Sequence, residues 1–377
     1  METMKNPLFL LTTMFLMTGA FANAAPLVDA EFGSERLDWQ TWCPCQIDME
    51  HAPVQFLLDE GDGSDQFARI PVYQSQVGGN KCRSYRPYLE CRLPDGTIDP
   101  AMQALNKAQS EDVVPDLEEP FGPSVIGLSR GQPDLDIVPD SYCDDEIVLK
   151  AHRAREEDRC IQRQELRFQK DKRHDFTEPY VYSIRFRMPA VIEKRTGSIR
   201  WVIGQWKQTT IDKEKYIKFG DEWGPSPYLA QRFDNGVLHV TVQDEHCRCN
   251  VASAPHADGY NPEWRDGRAV YCRSTDPFES GRTCTPNLFV KYGSNPILTS
   301  PIGEWVELRY EIQAGPNGRI NIYEGDRHIV EVTGNIGHRP APNERALTKF
   351  KIGHYRDFMP FDHYMDVDWV KVEPLVK

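Results

Sequence analysis

The sequence predicts an all-β protein, a sandwich or jelly roll of two antiparallel sheets, and three observations predict it. From about Glu146 onward, short segments rich in β-branched and aromatic residues follow one another. They alternate apolar with polar residues, and Gly, Asn and Pro turns separate them. No long amphipathic helix and no internal repeat breaks this rhythm. Of the 377 residues, 40% are hydrophobic, enough for a packed core and too many for wholesale disorder. One large β domain or two ordinary ones would fit this length.

The first element is not part of the fold. Lys5 precedes an apolar run from Leu8 to Met17, and Ala22-Asn23-Ala24 has the A-x-A form of a cleavage site. Residues 1–24 therefore read as a signal peptide and the mature chain as exported, secreted or periplasmic. No apolar run approaches the ~20 residues of a membrane span, so no membrane anchor is expected. Residues 25–95 form a Cys-containing segment able to add strands to the sandwich. Residues 96–148 are Pro-rich, acidic and weakly periodic, and read as a surface connection.

The sandwich domain is expected over residues 149–377. Its strands include Cys160–Phe168, Tyr180–Met188, Ile199–Lys207 and Val237–Val242. Further strands are expected at Trp305–Ile312, Arg319–Glu324, His328–Val332, Phe350–Tyr355 and Met365–Val372. Turns are expected at Asp234-Asn235-Gly236, Pro316-Asn317-Gly318 and Gly325-Asp326. The four-Cys stretch 243–300 reads as a stapled excursion from the sheet.

The ten cysteines are Cys43, Cys45, Cys82, Cys91, Cys143, Cys160, Cys247, Cys249, Cys272 and Cys284. An even number in an exported chain favours disulfides, whose connectivity stays open. Cys43-Pro44-Cys45 and Cys247-Arg248-Cys249, with His246 beside the latter, are spaced too closely for the usual structural zinc site. No catalytic metal is expected.

Residues two apart on a strand share a face. By that rule Arg163, Glu165 and Arg167 lie together, as do Gln205 and Lys207, with Trp206 on the opposite side. Lys351, Gly353 and Tyr355 align likewise, and so do His239 and Thr241. Singly, each has an ordinary explanation: a cross-strand ion ladder, a rim aromatic, a solvent-facing histidine. If these faces line one concave sheet, they make a groove of cations, amides and proton-transferring groups for an acidic sugar polymer, with Gly353 leaving room.

Three segments resemble the β-jelly-roll polysaccharide lyases, a concanavalin-like fold, and most of all their heparin-lyase-I-like group. Arg163-Gln-Glu165-Leu-Arg167 is similar to the R-x-E-L-R strand of that family. Gln205-Trp-Lys207 stands where alginate lyases carry Q-I-H or Q-V-H. Phe350-Lys351-Ile-Gly353-His-Tyr355 resembles the Y-F-K-A-G-x-Y strand. The likeness spans roughly residues 146–374. It implies β-elimination at a uronic acid, with an acidic polysaccharide as partner, a monomeric enzyme and no required cofactor. Arg163 and Gln205 would neutralise the uronate carboxylate as charge develops after removal of the C5 proton. Tyr355 would protonate the leaving glycosidic oxygen, and for some stereochemistries also act as base. Arg167, Lys351 and Glu165 would bind substrate.

The departure is Lys207, where the family has the histidine base. The base is then Lys207 itself, or Tyr355 in both roles, or a histidine from another strand. Tyr355 ranks first and His239 is the reserve, since His354 should face away from Tyr355.

Other classes leave different marks. A glycoside hydrolase needs two matched carboxylates, and its E-x-D-x-x-E strand is absent. Asp366-Val367-Asp368 suits a turn anchor or a structural Ca2+ instead. A carbohydrate-binding module or a stapled structural protein would share the fold. The net charge of −13, from 44 Lys+Arg against 57 Asp+Glu, argues against a nucleic-acid partner. Between Glu111 and Lys150, eleven acids against two bases give 2 − 11 = −9, so most of that charge belongs to the connection and not to the groove strands.

Overall fold

The computed structural model describes residues 26–73 with short gaps, the strands at 88–91 and 147–150, and most of residues 161–375. Within that last stretch, 189–200, 215–226, 256–267 and 273–286 are the longer omissions. The signal segment, most of the acidic connection and the Asp234-Asn235-Gly236 turn lie partly or wholly outside the described residues.

The N-terminal segment gives four strands to the two large sheets: β1 (Val28–Glu31), β2 (Trp42–Cys43), β3 (Gln55–Leu58) and β4 (Gln66–Val72). β5 (Tyr88–Cys91) and β6 (Ile147–Lys150) pair only with each other. Then follow β7 (Ile161–Phe168), β8 (His174–Asp175), β9 (Tyr180–Arg187) and β10 (Trp201–Gln208). β11 (Leu229–Asp234), β12 (Val237–Gln243), β13 (Cys247–Ser253) and β14 (Arg268–Cys272) continue the chain. The last are β15 (Leu288–Tyr292), β16 (Val306–Gln313), β17 (Gly315–Glu324), β18 (Arg327–Ile336), β19 (Leu347–Asp357) and β20 (His363–Pro374).

The strands build two nine-stranded sheets. One runs β15-β18-β17-β16-β9-β20-β4-β3, with β1 also on β20. The other runs β14-β13-β12-β11-β10-β19-β7-β2, with β8 on β19. The ladders are antiparallel, and the architecture is the expected two-sheet jelly-roll sandwich.

Alternation places the core between the sheets. On β16 every second residue is buried, so Val306, Leu308, Tyr310 and Ile312 point inward. Trp206 from β10 meets Tyr310 at 4.8 Å and Phe350 at 4.9 Å between ring centres, as its position opposite Gln205 requires. Trp42 extends this aromatic layer against Phe168 at 4.8 Å. The N-terminal segment thus completes both sheets: β2 edges the second, and β4 joins β20 in the first.

Three expectations need correction. The described residues of the 243–300 stretch belong largely to the sheets and not to an excursion, because β13 and β14 extend the second sheet and β15 edges the first. Its apolar positions, such as Val251 and Leu288, join the core. Asp366 and Asp368 do not anchor a turn. Both lie within β20 and are taken by arginines. Asp366 is fully buried and holds Arg69 at 2.7 Å and Arg187 at 2.9 Å, while Asp368 pairs with Arg185. Pro316-Asn317-Gly318 also lies inside β17, as a bulged corner with Asn317 at φ 57.

Candidate active site

Register across the second sheet assembles the candidate residues on the face turned away from the core. Directly paired residues of an antiparallel ladder share a face. One row therefore crosses Cys43, Arg167, Lys351, Gln205, Ala230 and Thr241. A second row crosses Arg163, Tyr355, Val202, Arg232 and His239. The three motif strands β7, β19 and β10 are adjacent.

Glu165 is the hub of the site. Its carboxylate accepts from Gln205 Nε2, from Lys351 Nζ at 3.3 Å and from Arg163 Nε at 3.2 Å. Its side chain is 2% exposed, so these are charge-assisted bonds in a shielded setting. The Arg163 guanidinium also lies 4.3 Å from the ring centre of Tyr355, a cation–π distance. Arg163 is the exposed member and Tyr355 is half-buried, so this edge of the site opens to solvent. Burial pushes the Lys351 ammonium down from the usual lysine range, and Glu165 counters part of that push.

Gly353 has another purpose than making room for substrate. Its φ is +125, and a Cβ there would sit 2.2 Å from the Gln164 carbonyl oxygen of β7. The glycine lets β19 pass close to β7 at a register shift against β10, between Lys351 and Tyr355.

The histidines and Lys207 divide by position. His354 is fully buried on the core side, accepting from Trp201 Nε1 at 3.1 Å and facing the Ile70 carbonyl at 3.1 Å. Burial first, then Arg356 and His363, push its imidazole well below the ordinary range. It faces away from Tyr355, as expected. His239 shares the row of Tyr355 but stands three strands away, about 14 Å between backbones at ~4.8 Å per strand. It is buried beside Arg232, whose Nε donates to Thr241 Oγ1 at 3.2 Å, and is not the solvent-facing residue its strand suggested. Lys207 pairs with Lys349 and not with Tyr355. Since 355 − 349 = 6, about 20 Å of strand at ~3.3 Å per residue separates that pair from Tyr355.

The sequence reasoning passed over two cations of this face, Lys349 and Arg232. Lys349 was within reach of the two-residue rule applied one step back from Lys351. Burial, then Lys351, Lys207, Arg173 and Arg167, lower its ammonium to about 8. Cys43, Cys247 and Cys249 are disulfide-bonded. Among the described residues, no group of three or more His, Cys, Asp or Glu side chains is placed to hold a metal ion.

The family model for polysaccharide lyases matches residues 124–370, more than half of the chain. The chain belongs to the polysaccharide lyases. The three motifs of the site all fall inside the matched stretch. Comparison with curated proteins gives no match. Solved structures similar to this lyase include an endo-β-1,4-glucuronan lyase from the fungus Trichoderma reesei, at 13% identity and a TM-score of 0.32, covering 57% of this chain and 74% of that one. An alginate lyase from Corynebacterium sp. shows 11% identity and a TM-score of 0.28, covering 56% and 68%. Alginate lyase A1-II', of polysaccharide lyase family 7, shows 10% identity and a TM-score of 0.31, covering 80% and 98%. At such scores these likenesses carry no argument, and membership rests on the family match. Among the described residues of the lyase, no helix is long and apolar enough to cross a membrane.

Proposed function

We propose that this lyase is exported and cleaves a uronate-containing polysaccharide by β-elimination, with Tyr355 in both proton-transfer roles. The supporting observation is the meeting of three separate motifs around Glu165, with Gln205, Lys351 and Arg163 bonded to it and Tyr355 against Arg163. Gln205 Nε2 has a second N–H to offer a uronate carboxylate, and Arg163 presents its guanidinium on the open side. Held there, the carboxylate withdraws the charge that develops when C5 loses its proton. As the phenolate, the Tyr355 oxygen takes that proton, the C5–H electron pair forms the C4–C5 double bond, and the C4–O bond breaks. The leaving oxygen receives the proton back from Tyr355. The side chains named supply the neutralisation, and no cofactor is invoked. Tyr355 lies on the open edge, whereas His239 is buried and Lys207 stands far along the sheet. That is why Tyr355 is preferred as base.

The test is ultraviolet absorbance of 4,5-unsaturated ends across glucuronan, alginate and glycosaminoglycans. Product is expected from at least one, and Tyr355→Phe should reduce it at least ~10²-fold while polymer binding persists. Lys207 in place of the family histidine favours a second reading, a binding-only relative. Tight binding with no ultraviolet product from any of these polymers would establish that reading and overturn the first.

A further inference from the structure

We propose that the N-terminal segment, which lies outside the family match, is a working part of the active site: the Ile70 carbonyl of β4, acting through His354, holds the bulge in β19 that aims Tyr355. The inference rests on the lyase reading above and deepens it, making His354 a positioning residue.

The first ground is where β19 departs from regular pairing. One pair with β10 is Gln205 with Lys351 and the next on the same face is Val202 with Tyr355. Since 205 − 202 = 3 and 355 − 351 = 4, β19 carries one extra residue there. Gly353 and His354 together oppose Ile203, immediately before Tyr355. Bulges of this kind re-aim the side chains beside them. Gly353, at φ +125, has no side chain with which to fix the bulge, so the fixing falls to His354.

The second ground is what His354 holds. Trp201 Nε1 of β10 donates to its Nδ1 at 3.1 Å, and its Nε2 meets the Ile70 carbonyl oxygen at 3.1 Å. An indole only donates and a carbonyl only accepts, so the ring is the neutral tautomer with its hydrogen on Nε2. One side chain thus ties the bulge to a neighbouring strand of its own sheet and to a strand of the opposite sheet. Trp201 is in turn packed against Phe233 and His363, at 5.3 and 5.0 Å between ring centres.

The third ground is the same device on β7. Gln162 Nε2 donates to the Tyr73 carbonyl at 3.2 Å, and Gln164 Nε2 to the Ala52 carbonyl at 3.5 Å. Gln162 Oε1 also accepts from Arg356 Nε at 2.7 Å. Gln162, Gln164, His354 and Arg356 are fully buried, and they alternate with Arg163, Glu165 and Tyr355 on the outward face. Apolar side chains would fill this space without the cost of burying polar groups, as Phe350 and Trp206 do further along the same sheet. Hydrogen-bonded polar groups instead fix one arrangement, and proton transfer by Tyr355 requires it to be fixed closely.

The experiment compares the full chain with His354→Asn and His354→Gln. The Asn amide oxygen stands where Nδ1 did, keeping the Trp201 bond and losing the one to Ile70. The Gln amide nitrogen reaches where Nε2 did and keeps the bond to Ile70. Well below its melting temperature, His354→Asn should lower kcat at least about tenfold with KM within about twofold. His354→Gln should stay within about threefold of the native kcat. A second readout needs no turnover: fluorine NMR of the fluorotyrosine-labelled chain, with the Tyr355 resonance assigned by its loss in Tyr355→Phe. That resonance should move in His354→Asn and stay in place in His354→Gln. Native kcat in folded His354→Asn, equal losses in the two variants, a loss confined to KM, or an unmoved resonance each overturns the proposal. If His354→Asn fails to fold, as read by thermal melting, Gln162→Met, which removes the bonds to Tyr73 and Arg356, carries the same decision through kcat and the resonance. The lyase reading fails separately, when the native chain yields no unsaturated product from any polymer, and the Tyr355 resonance then still decides the positioning.

Discussion

Glu165 shows how much of the site one side chain organises. It is buried, it bonds Lys351, and it orients Gln205 and Arg163, the two groups assigned to the substrate carboxylate. Glu165→Gln keeps the shape and removes the charge. Lys351 is then left buried without its counter-ion, which costs about 3 kcal/mol, measurable by denaturant unfolding. Product formation should fall further than stability explains, roughly 10²-fold, because displaced groups no longer meet the carboxylate in register. The pattern Arg163-x-Glu165-x-Arg167 was legible in the sequence, and so was its shared face. That Glu165 would gather donors from three strands was not, since the same pattern equally describes a surface ion ladder.

At the level of the element, β19 carries the site through its backbone as much as through its side chains. Gly353 sits at φ +125 where β19 crowds the Gln164 carbonyl. A methyl group there meets backbone, which cannot swing aside. Gly353→Ala should therefore cost at least ~2 kcal/mol and lower the melting temperature. It should also shift Tyr355, two residues on, so that activity is lost even at temperatures where the variant stays folded. The glycine was visible in the sequence, but its reason was misread as room for substrate, because a strand pattern does not say how closely the next strand passes. The Cys-bearing 243–300 stretch taught the same lesson in reverse. Cysteines and turn residues hid β13, β14 and β15, whose membership of the sheets depends on partners elsewhere in the chain.

Across the whole molecule, charge is sorted by region. The acidic segment carries most of the net −13, while the face of the second sheet concentrates Arg163, Arg167, Arg232, Lys207, Lys349 and Lys351. Burial and its four cationic neighbours hold Lys349 at about 8, against an ordinary 10.5. The sign follows directly. Between about 8 and 10.5 the unfolded chain binds a proton at this residue that the folded chain does not, so stability without ligand rises with pH through that window. Denaturant unfolding from pH ~7 to ~10 checks this: the native chain should gain stability through the window and Lys349→Gln should gain less. The all-β class, the core-facing and outward-facing residues of most strands, and three motif segments could all be read from the amino acids alone. Covalent geometry is responsible, since side chains alternate along an extended strand whatever it pairs with. The tertiary structure alone decided which strands became neighbours and in what register. Residues 165, 205 and 351 meet only through pairings distant in the chain, settled by burying both sheet faces at once. The unexpected Lys207–Lys349 pair came from the same register, and no local pattern could have shown it.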